Sequence, residues 1–145
     1  MGKSILGKNL KKRTETKITK IPFKKFNGLI IEGTGLGHLS VNEIDKHTKE
    51  NTEILKEIKN IAKKIPVVMV SQCIFGKVDM NVYDSGRKLL ESGLLGNYLD
   101  ITFEVAFIKL AWLLSNYKKE DIKELFHKNL IGEITERPTY KEEFI

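Results

Sequence analysis

The sequence has little of the chemistry that cross-links a small protein. Cys73 is the only cysteine among 145 residues, which excludes a disulfide within the chain. The three histidines, His38, His47 and His127, are scattered and do not have the spacing of zinc ligands. We therefore expect no disulfide and no bound metal.

Long apolar runs are also missing. The longest uninterrupted apolar stretch, residues 65–70, falls far short of the roughly 20 residues that a membrane helix needs. Only Ile5 and Leu6 follow Lys3, which gives no apolar core for a signal peptide. These absences exclude a membrane-spanning segment, and we expect a cytoplasmic protein without membrane partners.

Acidic side chains are scarce in the first 27 residues. This segment holds nine lysines and arginines against Glu15 alone, a net charge of +8, whereas the rest of the chain sums to −2 and the whole to +6. A basic arm can bind RNA by neutralising phosphates, but it can also be a solvated tail. No aromatic side chains are interleaved with the early lysines for stacking on bases, which favours the tail. We predict a basic arm over residues 1–27.

The rest of the chain, residues 28–145, fits one domain. Apolar residues make up 41% of the chain and charged residues 30%, as in an ordinary globular protein. Residues 29–31 predict a buried strand, and the glycines in residues 32–38 predict a tight loop, which we call the glycine loop. Ser40 and Glu43 form the pattern of a capping box, which predicts an amphipathic helix from there to Lys63.

A second strand is predicted over residues 67–72, after Pro66 stops the helix. Strand, helix and strand make a βαβ unit, whose strands are almost always parallel. Further helices are predicted over residues 83–92, 103–115 and 119–128, with Gly93 ending the first of them. The fold class is therefore α/β, with a small parallel sheet between flanking helices in three layers.

Some smaller features extend this prediction. Leu94 and Leu95 are candidates for a short third strand, and residues 16–23 could add an edge strand in which Pro22 is tolerated. Apolar residues cover much of the circumference of residues 103–115, so we expect Phe107 and Trp112 in the core.

Polar residues follow both predicted strands, where open α/β sheets collect their ligands. The glycine loop could cradle a phosphate, but His38 stands where a nucleotide-binding fingerprint needs glycine or Gly-Lys-Ser. His38 is a candidate general base or a loop histidine, and Cys73 has no visible activating partner. The candidate site residues are therefore mainly neutral hydrogen-bonding groups without a nucleophile or a cofactor: His38, Thr34, Gln72, Asn81 and Tyr83.

Several segments resemble, in the same order, the C-terminal domain of the asparaginase family. They are GLIIEGTGLGH (28–38), PVVMVSQC (66–73), GKVDMNVY (76–83), SGR (85–87) and NLIGEI (129–134). Within that family, the chain looks most like GatD, the glutaminase subunit of archaeal glutamyl-tRNA(Gln) amidotransferases. The resemblance implies the fold of the asparaginase C-terminal domain for residues 28–145.

The resemblance also implies a divided active site. In the family, a threonine nucleophile attacks the side-chain amide of asparagine or glutamine, and a second threonine, an aspartate and a lysine activate it. These residues lie in the larger N-terminal domain, in Thr-Gly-Gly-Thr and His-Gly-Thr-Asp type motifs. Neither motif occurs here. The family's polar residue after Gly-x-Gly-x-Gly completes a neighbouring active site, and His38 matches that position. The resemblance thus implies a supporting role for His38, with Gln72, Asn81 and Tyr83 as weaker candidates.

Four hypotheses follow. The leading one is the C-terminal part of a split GatD, a glutaminase that supplies ammonia for converting Glu-tRNA(Gln) to Gln-tRNA(Gln). Its partners would be a chain carrying the asparaginase N-terminal domain, and GatE, the amidotransferase subunit that activates Glu-tRNA(Gln). The alternatives are part of a cytoplasmic L-asparaginase and a non-catalytic relic or binding module that contacts tRNA through its arm. An independent hydrolase using Cys73 or His38 lacks a triad partner.

The binding-module hypothesis makes a prediction about the basic arm. If the arm holds tRNA, binding weakens as salt rises, because the lysines and arginines displace counterions from the phosphates. Removing residues 1–25 should then abolish binding in a filter-binding or fluorescence-anisotropy assay at several salt concentrations. Salt-independent binding, or none, contradicts this hypothesis.

Overall fold

Two parallel strands and four helices make up residues 25–135, the part of the chain that the computed structural model describes. In chain order they are β1 (Leu29–Gly33), α1 (Glu50–Ala62), β2 (Val67–Ser71), α2 (Asp84–Glu91), α3 (Phe103–Asn116) and α4 (Lys119–His127). The predicted α/β class is confirmed. The basic arm up to residue 24 and its suggested edge strand lie outside the described residues.

The two strands form the predicted parallel pair. Leu29 lies opposite Val67, and Gly33 lies opposite Ser71. On the far side of β2, Leu95 makes a single parallel bridge: its N–H donates to Val67 O and its carbonyl accepts the Met69 N–H, both at 2.8 Å. The predicted third strand is therefore one residue long within the described chain.

The glycine after this bridge explains why the third strand stops. Gly96 has a φ of +102°, and its backbone packs so closely on the Met69 carbonyl that a side chain would not fit there. A left-handed residue turns the chain out of the extended conformation that a strand needs.

The sheet separates two apolar cores. Val68 and Val70 face the core formed with α3 and α4, whereas Val67 and Met69 face the core formed with α1 and α2. All five residues of β2 are buried. Because successive side chains of a strand point to opposite faces, this burial requires helices on both sides. The predicted arrangement of three layers is confirmed.

The start of the first helix differs from the prediction. α1 begins at Glu50, and the predicted capping box at Ser40 is wrong. The Thr48 hydroxyl accepts the N–H groups of Ile44 and Asp45, each at 2.8 Å, and Ile44 is 84% exposed. Local bonds to threonine and aspartate side chains compete with helix formation, and here they hold a turn instead.

The burial of α3 also differs from the prediction. Phe107 is 59% exposed and Trp112 is 47% exposed, so the prediction that they belong to the core is wrong. The buried residues of α3 lie on one side only: Ala106, Lys109, Leu110 and Leu113. Among the described residues the sheet and α4 cover that side alone, which leaves a second apolar face in solvent. By contrast, Gly93 ends α2 at a φ of +91°, as predicted.

A buried ion pair fastens α3 to the segment after α4. Lys109 Nζ lies 2.6 Å from Glu133 Oε1 and 2.6 Å from Lys128 O, and its side chain is only 4% exposed. The Glu133 carboxylate also accepts the N–H groups of Leu130 and Ile131. Burial alone would raise the pKa of Glu133, but the Lys109 and backbone hydrogen bonds outweigh burial and lower its pKa to about 2.

This ion pair makes the stability depend on pH in acid. The folded pKa of Glu133 lies below its ordinary value of 4.5, so the carboxylate stabilises the fold above pH 4.5 and this contribution is lost as the pH falls towards 2. We expect Glu133→Gln to lower the free energy of unfolding at pH 7 by about 3–5 kcal/mol, because Lys109 keeps a buried charge without its partner. Urea unfolding at several pH values measures both effects.

Glu124→Gln is the matched control. Glu124 pairs with Lys128 at 2.6 Å, but its side chain is 77% exposed. Its substitution should lower the free energy of unfolding much less than Glu133→Gln does, because solvent screens an exposed ion pair. An equal loss of stability between pH 4.5 and 2 in wild type and Glu133→Gln would show that the lowered pKa of Glu133 does not cause the pH dependence.

Candidate functional site

A tight loop after β1 positions His38. Thr34 N donates to His38 O at 3.1 Å, and His38 N donates to Thr34 O at 2.9 Å, so the two residues close a short antiparallel bridge. Gly37, inside this loop, has a φ of +93°, and a side chain there would collide with Val78 and Met69. The loop therefore holds His38 directly above the carboxyl end of β1.

The end of β2 supports the same loop. The buried Ser71 hydroxyl donates to the Gly35 carbonyl and accepts the Cys73 N–H at 3.0 Å. The Asp79 N–H donates to Leu36 O at 2.9 Å. The glycine loop is thus hydrogen-bonded to β2 and to the segment after β2, and these hydrogen bonds fix its conformation.

The His38 ring has one nitrogen satisfied and one without a partner. Nδ1 lies 3.2 Å from Thr34 O, and since a carbonyl only accepts, we assign the proton to Nδ1. In the neutral ring Nε2 is then an acceptor. It is fully buried, yet no group among residues 25–135 donates to it. An unmade hydrogen bond of this kind costs about 1–3 kcal/mol, so Nε2 needs a donor that the described residues do not supply.

An open cavity of about 420 Å³ surrounds this histidine. The Tyr83 ring meets the His38 ring edge to face, with centroids 4.5 Å apart. The lining is neutral and consists of residues from the loop and from the start of α2: Thr34, Gly35, Leu36, His38, Tyr83 and Ser85. A cavity of this size suits a small ligand. Because its lining lacks a nucleophile paired with a base, the cavity can bind and orient a molecule but does not itself supply attack chemistry.

The structure brings together three of the five predicted site residues, namely Thr34, His38 and Tyr83. Gln72 lies just beyond β2, where its N–H donates to Gly33 O, and it does not line the cavity. Asn81 also lies outside the lining, because its side chain donates to the Tyr98 hydroxyl at 2.6 Å.

Ser85 is a cavity residue that the sequence reasoning did not select. It lies in the first turn of α2, next to Gly86, where a Cβ would approach the Met80 carbonyl to 2.6 Å. This close packing brings the start of α2 against the loop before it, so Tyr83 and Ser85 face His38. The glycine of the Ser-Gly-Arg run at 85–87 is consistent with close packing, but the sequence alone does not show that Met80 is the residue it packs against.

Other chemistry is limited in the described region. No three histidines, cysteines, aspartates or glutamates within residues 25–135 could hold a metal ion together. Cys73 is exposed and free. No helix between residues 25 and 135 is long and apolar enough to cross a membrane.

The glycine loop provides a test of this geometry. We expect Gly37→Ala to lower the free energy of unfolding by about 2–4 kcal/mol, because it combines a left-handed φ with a collision against the core. Gly35→Ala is the control: Gly35 has a φ of +49° but no atom within 4 Å, so its loss should be near 1 kcal/mol. Urea unfolding gives both values, and equal losses would show that packing at Gly37 does not hold the loop.

Comparisons with known proteins agree with this architecture. The Glutaminase/Asparaginase C-terminal domain family matches residues 14–126. GatD of the glutamyl-tRNA(Gln) amidotransferase of Archaeoglobus fulgidus is 41% identical over 117 residues, which cover 81% of this chain and 25% of that protein. GatD of Methanobrevibacter smithii is 39% identical over 119 residues, with the same two coverages.

A solved structure of an L-asparaginase has a similar fold. The thermostable L-asparaginase from Thermococcus kodakarensis superimposes with a TM-score of 0.67 at 30% identity, over 79% of this chain and 33% of that one. The chain thus spans about a quarter of the length of the curated relatives that it matches. Sequence and fold agree, and this chain belongs to the Glutaminase/Asparaginase C-terminal domain family.

Proposed function

We propose that this chain is the C-terminal part of an amidotransferase subunit of the GatD type, which hydrolyses glutamine together with a domain that carries the threonine nucleophile. The His38 site supports this proposal most directly, because it offers a buried acceptor in a cavity whose lining shows no nucleophile hydrogen-bonded to a base. Such a site is one half of an active site. The identity of about 40% to curated GatD proteins supports the class of reaction.

In this proposal the nucleophile lies on a separate chain with the asparaginase N-terminal domain. Water and the glutamine side-chain amide give glutamate and ammonia. The ammonia is used to convert Glu-tRNA(Gln) to Gln-tRNA(Gln) on the partner protein GatE. Contact of the basic arm with tRNA and a cytoplasmic location stay predictions.

His38 acts as a positioning residue. Its Nδ1 proton is held by the Thr34 carbonyl, which cannot take up a proton, so the ring has no relay like that of a catalytic triad. Nε2 is instead placed to accept a hydrogen bond from the substrate's ammonium group or from an N–H or O–H of the neighbouring domain. Tyr83 packs against the ring and limits its rotation.

Exposed apolar side chains at the same edge supply a docking surface for the neighbouring domain. Ile74 and Phe75 follow β2 and are 76% and 90% exposed, and Val82, just before Tyr83, is 51% exposed. A stable interface buries about 800 Å² on each partner around an apolar centre. We therefore propose that the carboxyl edge of the sheet faces the nucleophile domain.

The test is a pull-down of this chain from its native extract, followed by mass identification and amidase assays. We expect a companion with the threonine motifs, and glutamine hydrolysis by the complex that neither chain shows alone. Preference for asparagine over glutamine would favour an L-asparaginase instead. Recovery of the chain alone, or with RNA only, would overturn the split enzyme and favour the binding module.

A variant of the assembled enzyme tests the role of His38. His38→Ala should lower kcat/KM for the amide about 5- to 100-fold, the cost of one hydrogen bond to a buried acceptor, and leave assembly unchanged. His47→Ala, at an exposed histidine in the loop before α1, is the matched control and should change neither. Equal loss of assembly and activity in His38→Ala would make His38 structural.

A further inference from the structure

Tyr98 has a backbone conformation that residues with side chains rarely adopt. Its φ is +67°, and among the described residues it is the only one other than glycine with a positive φ. In this left-handed region the Cβ crowds the backbone, which costs free energy for most residues and little for glycine. Such conformations persist where surrounding contacts enforce them, and they cluster at functional sites. The contacts of Tyr98 therefore indicate what its conformation holds in place.

The turn that carries Tyr98 is hydrogen-bonded to the loop between β2 and α2. Tyr98 N donates to Val78 O, and Val78 N donates to Leu99 O, both at 2.8 Å. Met80 N donates to the side-chain oxygen Asn97 Oδ1, also at 2.8 Å. These bonds fix the backbone of the turn against the loop, and they enforce the left-handed φ that lies among them.

The side chain of Tyr98 adds two contacts to the same loop. Its hydroxyl accepts a hydrogen bond from Asn81 Nδ2 at 2.6 Å, and Lys77 Nζ lies 5.2 Å from the centre of its ring. Tyr98 is 54% exposed, so burial of its ring contributes little to the stability of the fold. Core packing therefore does not explain a strained tyrosine at this position.

The loop that Tyr98 contacts leads directly into the candidate site. Asn81 lies two residues before Tyr83, whose ring packs on His38 with centroids 4.5 Å apart. Arg87 Nη1 donates to Asn81 O at 3.0 Å. Asn81 is thus held at its side chain by Tyr98 and at its carbonyl by Arg87. The chain that continues to Tyr83 starts from this fixed point.

We propose that Tyr98 is a positioning residue for the His38 site. Its hydroxyl fixes Asn81, and through Asn81 it fixes the loop that places Tyr83 against the histidine. Tyr98 is not part of the cavity lining, so it acts on the site without touching a ligand. The effect on the reaction rests on the proposed function, whereas the effect on the shape of the cavity does not.

Tyr98→Phe tests this geometry in the full chain, because it keeps the ring and removes only the hydroxyl. The ring current of Tyr83 shifts the NMR signals of the His38 ring protons, and Tyr83→Leu gives the positions of these signals without it. We expect Tyr98→Phe to move the His38 signals towards the Tyr83→Leu positions. The midpoint of urea unfolding should change little, since the hydrogen bond that is lost is exposed.

Tyr117→Phe is the matched control. Tyr117 is 44% exposed and packs edge to face on Trp112, so removing its hydroxyl should leave the His38 signals unchanged. Unchanged His38 signals in Tyr98→Phe would overturn the proposal. Signals that move only together with a large fall in the urea midpoint would also overturn it, because Tyr98 would then hold the fold rather than the site.

The assembled enzyme tests the effect on the reaction. We expect Tyr98→Phe to lower kcat/KM for the amide about 2- to 10-fold, the range for one neutral hydrogen bond, and to leave assembly unchanged. Asn81→Ala should cause a similar loss, and the double variant should lose no more than either single variant, because both substitutions remove the same bond. Additive losses would show that the two side chains act separately and would contradict the proposal.

The two measurements separate this inference from the proposed function. Shifted His38 signals in Tyr98→Phe, with no amide hydrolysis by any assembly, would contradict the proposed function and support the dependence of the cavity on Tyr98. Equal amide hydrolysis by wild type and Tyr98→Phe would support the proposed function and contradict the role of Tyr98.

Discussion

The burial of β2 on both faces is the constraint on which the rest of the structure depends. Val67 and Met69 face one apolar core, and Val68 and Val70 face the other, so neither face of the sheet is left to water. A strand apolar on both faces is stable only between two layers. Helices cover both faces of the sheet: α1 and α2 lie on one side, and α3 and α4 lie on the other. The parallel pairing that results brings the ends of both strands to one edge.

That shared edge explains the character of the candidate site. Ser71 at the end of β2 holds the glycine loop that follows β1, and the loop in turn presents His38 with Nδ1 satisfied and Nε2 without a donor. Hydrogen bonds to backbone atoms fix the shape of the loop. The site is also chemically incomplete in the described chain, which agrees with a family domain that spans about a quarter of its curated relatives.

Incomplete coverage recurs on the outside of α3. One side of this helix is buried and holds Lys109 in its ion pair with Glu133, whereas Phe107 and Trp112 on the other side remain exposed. Within residues 25–135, Phe107 lies next to a strand edge with which no strand pairs.

The sequence by itself determined the elements whose signals are local. Apolar β-branched residues marked both strands, Gly93 marked the end of α2, and the Gly-x-Gly-x-Gly-His pattern marked the family. Tertiary structure decided what depends on distant neighbours. No helix begins at Ser40, because hydrogen bonds to the Thr48 side chain hold residues 44–48 in a turn. Trp112 is exposed rather than in the core, because the described chain covers only one side of α3. Likewise, Asn81 does not line the cavity, because its side chain donates a hydrogen bond to the Tyr98 hydroxyl. Ser85 does line it, because Gly86 lets the start of α2 pack closely against Met80. Local sequence specifies backbone preferences, but the partner of each side chain is set by which elements come together in space.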